Sequence, residues 1–195
     1  MNYFSGDWFE DNCMMHAILM DIEFYSGSER KSMSKNKGKN VGSMLYGVTW
    51  RGPYLSPTKE RERDEETGYF KTKIYSEVPE LKNIFKEFSN LYFQNFEYLS
   101  VQMNKNFIIK PHFDSINAGD SILCSFGDYE GGLTCVERED GVVKYDSRNN
   151  PVKFDGSKYK HWVEDINSGD RFSLVFFSNS YLKKRILKLK LSKKD

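Results

Sequence analysis

Phe107-Ile108-Ile109-Lys110-Pro111-His112-Phe113-Asp114 sets an apolar run directly ahead of a His-x-Asp pair. The apolar run reads as a strand. Residues two apart on a strand point to the same face, so His112 and Asp114 aim an imidazole and a carboxylate at one point. A second His, His161, lies at the start of a later strand-like segment, and Arg171-Phe172-Ser173 follows it. The chain holds three His in all, and two of them stand at these places.

Outward from that stretch, the chain reads as a series of short strands. These are Tyr98–Met103, Phe107–Ile109, Ile122–Phe126, Leu133–Glu137, Lys153–Asp155, His161–Ile166 and Arg171–Phe177. Between them lie an Asn117–Asp120 loop, a Gly127–Gly132 turn, a hairpin loop over 138–151, and turns at Gly156 and Gly169-Asp170. Short strands with regular turn signals predict a mainly β sandwich or barrel. One flanking helix is expected from near Ser76, where Val78, Leu81, Ile84, Phe85, Phe88, Leu91 and Tyr92 recur at helical spacing with Pro79 in the first turn. Its apolar face is expected on the outside of the sheet. Met44–Trp50 reads as a strand, and residues 1–25 as a peripheral strand or short helix in which His16 packs rather than ligates.

Two segments are basic. Residues 26–43 read as a flexible loop carrying Arg30, Lys31, Lys35, Lys37 and Lys39 against Glu29. The tail, residues 182–195, alternates Leu or Ile with Lys; it reads as an edge strand with Lys outward, or as a strip that touches phosphate.

At 195 residues the chain is expected to form a single domain, 1–195, with its core at about 98–178. An aromatic content of 15% suits a β-rich core, and a net charge of +1 gives no whole-molecule case for a polyanionic partner. Cys13, Cys124 and Cys135 form no C-x-x-C, which fits buried thiols in a reducing interior. No apolar run is long enough for a membrane helix, and the acidic Asp7, Glu10 and Asp11 are wrong for a signal peptide. An intracellular, soluble protein of cytoplasm or nucleus is the expectation, with the oligomeric state open.

Two neutral imidazoles and one carboxylate occupying one face of an octahedron suit Fe(II) and leave three positions free. Those positions accommodate a bidentate 2-oxo acid and O2. The distal carboxylate of such an acid needs a fixed cation, and Arg171 offers a bidentate fork with the Ser173 hydroxyl on the same strand face. An Arg at the head of the strand Phe172-Ser173-Leu174-Val175-Phe176-Phe177 is costly unless it finds a partner.

His112-x-Asp114, His161 and Arg171-x-Ser173 together resemble the 2-oxoglutarate/Fe(II)-dependent dioxygenases, over roughly residues 98–178. The resemblance implies a double-stranded β-helix, or jelly roll. It implies His112, Asp114 and His161 as iron ligands, Arg171 and Ser173 as partners of the 2-oxoglutarate C5 carboxylate, and Asn104 and Asn106 as further cofactor or substrate contacts. O2 is then the co-substrate and ascorbate a stimulant. Prolyl hydroxylases usually present Lys where this chain has Arg171, and AlkB-type enzymes a second Arg where it has Phe177. The run Ser121-Ile122-Leu123 to Gly131-Gly132-Leu133, with Phe154-Asp155-Gly156 before His161, looks most like the TET/JBP-type group, which oxidises the 5-methyl of pyrimidines in nucleic acid. DNA or another nucleic acid would then meet residues 26–43 and 182–195, and Trp50, Tyr54, Phe113, Tyr129 and Trp162 are candidate pocket aromatics. A protein side chain or small metabolite as substrate, and a non-catalytic jelly-roll binding module, are the alternatives.

Overall fold

In the computed structural model, which describes residues 2–26, 33–36, 38, 40–49, 62–65 and 67–191, the chain crosses repeatedly between two facing sheets. Its elements are α1 (Trp8–Met20), β1 (Gly42–Thr49), β2 (Phe70–Lys71), α2 (Lys73–Glu77), α3 (Leu81–Tyr92), β3 (Ser100–Lys105), β4 (Ser121–Phe126) and β5 (Tyr129–Gly131). There follow β6 (Thr134–Arg138), β7 (Gly141–Tyr145), β8 (Val152–Phe154), β9 (His161–Val163), β10 (Ile166–Gly169), β11 (Phe172–Phe177) and α4 (Ser180–Leu191).

The large sheet runs β2-β1-β3-β11-β4-β8 and is antiparallel at every described pairing. The facing one runs β7-β6-β9, the segment around Ile109 and His112 joins it through bonds to β9, and β10 pairs with β5 in a separate two-stranded sheet. Successive segments therefore alternate: β3 in the large sheet, 107–112 in the facing one, then β4 and β6, β8 and β9, and finally β11. That winding is the double-stranded β-helix expected from the sequence.

The side-chain alternation of β11 separates the two faces of the large sheet. Phe172, Leu174 and Phe176 are buried in the main core on the helix side, while Ser173, Val175 and Phe177 face the space between the sheets. Phe88 of α3 is the hub of the helix-side core. Its ring meets Phe4, Trp8, Tyr92, Phe93 and Phe126 at centroid distances of 4.9–5.9 Å. Aromatic pairs at such distances and tilts add to the area they bury. The helix face thus packs on the outside of the sheet as expected.

Several local expectations are corrected. Of the strand or short helix expected at the N-terminus the helix forms, because Asp7 caps it by accepting the Phe9 and Glu10 amides at 3.0 Å each. The single helix near Ser76 is two, broken at Val78–Glu80. Pro79 disfavours helical geometry at the residue before it, and Val78 sits at φ −131°, ψ 68°. The tail is α4 rather than an edge strand: Asn179 caps it by accepting the Tyr181 amide at 2.9 Å, and Leu182 and Ile186, one turn apart, pack on the core. Residues 141–145, expected as loop, form β7, and β5 lies within the expected Gly127–Gly132 turn. Cys13 is exposed, unlike Cys124 and Cys135. Residues 33–36 of the expected flexible loop lie along 106–110, where Asn36 holds the Asn106 carbonyl and the Ile108 amide. Arg30, Lys31, Lys37, Lys39, Trp50, Tyr54 and 192–195 lie outside the described residues.

Phe88→Ala is expected to lower stability by about 3–5 kcal/mol, the range for emptying an aromatic core position. Urea unfolding measures it; a loss below about 1 kcal/mol would contradict Phe88 as the hub.

Candidate metal centre and carboxylate pocket

His112 and His161 are joined by their backbones. The His112 amide donates to the His161 carbonyl at 3.1 Å, and the His161 amide returns the bond at 3.0 Å. The Asp114 amide donates to the Gly156 carbonyl at 2.8 Å. The 107–114 segment is less regular than a strand, since Pro111 has no N–H to give and Asn106 turns the chain at φ 49°. It is pinned at Ile109 and His112 instead. The result still brings the ligands together: His112 Nε2 is 3.5 Å from Asp114 Oδ1, His161 Nε2 is 3.4 Å from Asp114 Oδ2, and the three ligand atoms lie within 4.8 Å of one another.

The orientation of each ring follows from the bonds behind it. His112 Nδ1 lies 2.9 Å from the Lys110 carbonyl, and His161 Nδ1 lies 3.0 Å from that of Tyr159. A carbonyl only accepts, so each Nδ1 carries a proton and each ring presents Nε2, the nitrogen left to bind a metal, toward a carboxylate oxygen. Two imidazoles with the tautomer fixed from behind, and one carboxylate, are a donor set that fits Fe(II). Burial works to raise the Asp114 carboxyl, but the two imidazoles outweigh it and hold it well below the usual carboxylate range. Asn117, expected in a loop, donates to Asp114 Oδ2 at 3.3 Å and to Ser121 Oγ at 3.2 Å. Its spacing three residues after Asp114 was the available signal.

Gly156 explains itself by proximity. A Cβ there would stand 3.1 Å from His161 Cε1 and 3.2 Å from Asp114 Oδ2.

The triad opens into a cavity of about 700 Å³ between the sheets. Asn104, Thr134 and Ser173 also line it. Ser173 Oγ accepts from Asn104 Nδ2 at 3.2 Å, and Asn104 Oδ1 accepts from Ser43 Oγ at 2.7 Å, so a polar row crosses β11, β3 and β1 in register. Arg171 stands just behind the wall, 1% exposed. Its guanidinium donates to Thr134 Oγ1 at 3.3 Å, while its buried Nε has no partner and no carboxylate pairs with it among the described residues. Burial pushes this guanidinium down, and Tyr129 and Asp146 pull it back. A buried cation left without its anion is the feature a ligand carboxylate would satisfy.

Asn106 is placed differently from the expectation. Its Oδ1 accepts the Arg171 amide at 2.7 Å and its Nδ2 donates to Asp170 at 2.5 Å, so it holds the Arg171 backbone and does not line the cavity. Its left-handed φ suits Asn. Phe113 points away from the triad and is half exposed, Trp162 lines the cavity, and Tyr129 is buried beside Arg171. His16 packs against Phe172 at 5.3 Å. Sequence reasoning missed Thr134, whose only cue was the preceding Gly131-Gly132 turn.

No family model matches the chain. It is 34% identical over 73 residues to Tet-like dioxygenase 1 of Naegleria gruberi, a match that takes in 37% of this chain and spans 23% of that relative's length. Among solved structures, NgTET1 in complex with 5mC DNA matches 92% of this chain and 76% of its own at 20% identity and a TM-score of 0.45. A Pseudomonas putida prolyl-4-hydroxylase matches 91% and 89% at 10% identity and a TM-score of 0.49. No helix among the described residues is long and apolar enough to cross a membrane.

Gly156→Ala is expected to weaken metal binding by about 10- to 100-fold, as displacement of a ligand's surroundings does. Titration with Fe(II) under argon measures it; an unchanged affinity would mean that the crowding at Gly156 does not matter to the centre. In its His-x-Asp, His and Arg-x-Ser residues and in its sequence match, the chain resembles the 2-oxoglutarate/Fe(II)-dependent dioxygenases, and among them the Tet-like group.

Proposed function

We propose that this protein is an Fe(II)- and 2-oxoglutarate-dependent dioxygenase that hydroxylates the 5-methyl group of a pyrimidine, 5-methylcytosine or thymine, in nucleic acid. The observation that carries the enzyme class is the convergence of His112, Asp114 and His161 on one cavity whose wall is backed by the unpaired Arg171. The substrate rests on the match to a relative named a Tet-like dioxygenase.

Fe(II), together with 2-oxoglutarate and O2, supplies the oxidation that places a hydroxyl on a C–H bond. His112 and His161 would hold the metal through Nε2 and Asp114 through its carboxylate. Arg171, with the Thr134 and Ser173 hydroxyls, would receive the distal carboxylate of 2-oxoglutarate and so fix the other end of the acid. Leu123, Val175 and Phe177 give the cavity an apolar side that keeps water from the reacting carbon. A base extruded from a duplex needs such a pocket and an aromatic or apolar face to stack on, and Trp162 offers one.

Phosphate contacts would come from the start of α4. Asn179, Tyr181 and Leu182 line the cavity rim, and the exposed Lys183 and Lys184 follow on the helix. Each charge removed there, as in Lys183→Gln or Lys184→Gln, is expected to weaken oligonucleotide binding and to lower the slope of log K against log salt by about 1. A slope unchanged in the double variant would remove α4 from the interface.

The deciding assay measures succinate release with Fe(II), 2-oxoglutarate and ascorbate, offering methylated and unmethylated oligonucleotides, peptides and free nucleosides. Stimulation by the methylated or thymine-containing oligonucleotides is expected, and its loss by more than about a hundredfold in His112→Ala. Stimulation by peptides or nucleosides alone would overturn the base-oxidase reading while keeping the enzyme class. Equal turnover by wild type and His112→Ala would overturn the class.

A further inference from the structure

Tyr129 is 4% exposed and has two guanidinium groups near its ring. Arg148 Cζ stands 4.3 Å from its ring centroid and Arg171 Cζ stands 5.7 Å from it. The two cations differ in one respect. Arg148 is neutralised by Asp146, with Nε to Oδ1 at 3.0 Å and Nη2 to Oδ2 at 2.8 Å, and its Nη1 also donates to the Tyr129 carbonyl at 2.7 Å. Among the described residues Arg171 has no such anion. The phenol itself is fixed by a 2.7 Å bond to Ser125 Oγ, which is in turn 2.7 Å from Ser147 Oγ. Gly132 leaves the passage for the Arg171 stem, since a Cβ there would fall 2.8 Å from Arg171 Cδ. The ring is thus fixed in place, and the arginine beside it is held at its head by a 3.3 Å hydrogen bond to Thr134, with the Tyr129 hydroxyl also supporting its charge.

We propose that Tyr129 is a positioning residue for the carboxylate-binding arginine: its ring, braced by Arg148, is the plate against which Arg171 is held facing the cavity wall. This rests on the role proposed above for Arg171. Arg148 with its own carboxylate supplies the bracing without competing for the incoming one. The Arg171 fork, lacking a protein anion, is kept open for the distal carboxylate of the 2-oxo acid. An aromatic face supports a guanidinium without neutralising it, which a carboxylate at the same place would do.

The test is a double-mutant cycle on the Fe(II)-loaded full chain, with the dissociation constant of 2-oxoglutarate measured anaerobically and kcat and KM measured in air. Tyr129→Leu is expected to raise the dissociation constant and KM by about tenfold, with kcat at saturation within about twofold of wild type. Tyr129→Phe keeps the ring and is expected to restore binding to within about threefold. In an Arg171→Met background, Tyr129→Leu is expected to add nothing, because its effect passes through that arginine. If Tyr129→Leu melts below the assay temperature, Tyr129→Met takes its place in the cycle, filling the space without a ring face. An unchanged 2-oxoglutarate affinity in the ring-less variant, or a penalty that persists undiminished without Arg171, would overturn the positioning role alone. Absence of 2-oxoglutarate binding by the wild-type chain would overturn the Arg171 reading and this inference together.

Discussion

The two backbone hydrogen bonds exchanged between His112 and His161 hold the site together. They join the early and late halves of the β-helix at the point where the ligands are needed. Because each ring is also tied through Nδ1 to a nearby carbonyl, the backbone fixes the ring's position, its tautomer and the direction of Nε2 at once. Asp114 is drawn to the same place by the Gly156 carbonyl, and glycine at 156 spares its carboxylate and the His161 ring the crowding a Cβ would bring. The geometry does not depend on long flexible side chains.

The large sheet divides the labour between its faces. Phe172, Leu174 and Phe176 of β11 anchor an aromatic core against α1 and α3, while Ser173, one pleat away, faces the cavity in a polar row with Asn104 and Ser43. The apolar face provides the burial that holds the sheet rigid, and that rigidity lets a buried arginine persist without an anion. Arg171 is tolerated because Tyr129, Thr134 and Asn106 hold its ring-facing side, its head and its backbone in turn. Such an arrangement supports the proposed role of Arg171 as the partner of a ligand carboxylate.

Much of this was legible in the chain. His112, Asp114 and His161 were legible because strand periodicity and His scarcity leave few alternatives, and Arg171 because a cation at the head of a strand otherwise Phe172-Ser173-Leu174-Val175-Phe176-Phe177 demands a partner. The tail was not, since Leu/Lys alternation imitates a strand while Leu182 and Ile186 also stand one helical turn apart; the Asn179 cap decides between them. Asn106 resembled a site residue because it is polar and near the motif, yet tertiary context spends both ends of its amide on the Arg171 turn. Thr134 escaped notice because its bond to Arg171 runs between strands distant in sequence, which residue type and local spacing do not encode; Tyr129 was expected in the pocket rather than beside Arg171 for the same reason, while Asn117 carried a signal in its spacing from Asp114.

The claim at the centre of this account is that His112, Asp114 and His161 hold Fe(II) on one face and leave the opposite face to 2-oxoglutarate. X-ray absorption of the anaerobic Fe(II)-loaded chain tests it most directly. The account predicts two imidazole nitrogens among nitrogen and oxygen neighbours, with water ligands replaced by chelating oxygens when 2-oxoglutarate is added. A first shell without imidazole, or one that 2-oxoglutarate leaves unchanged, would contradict it.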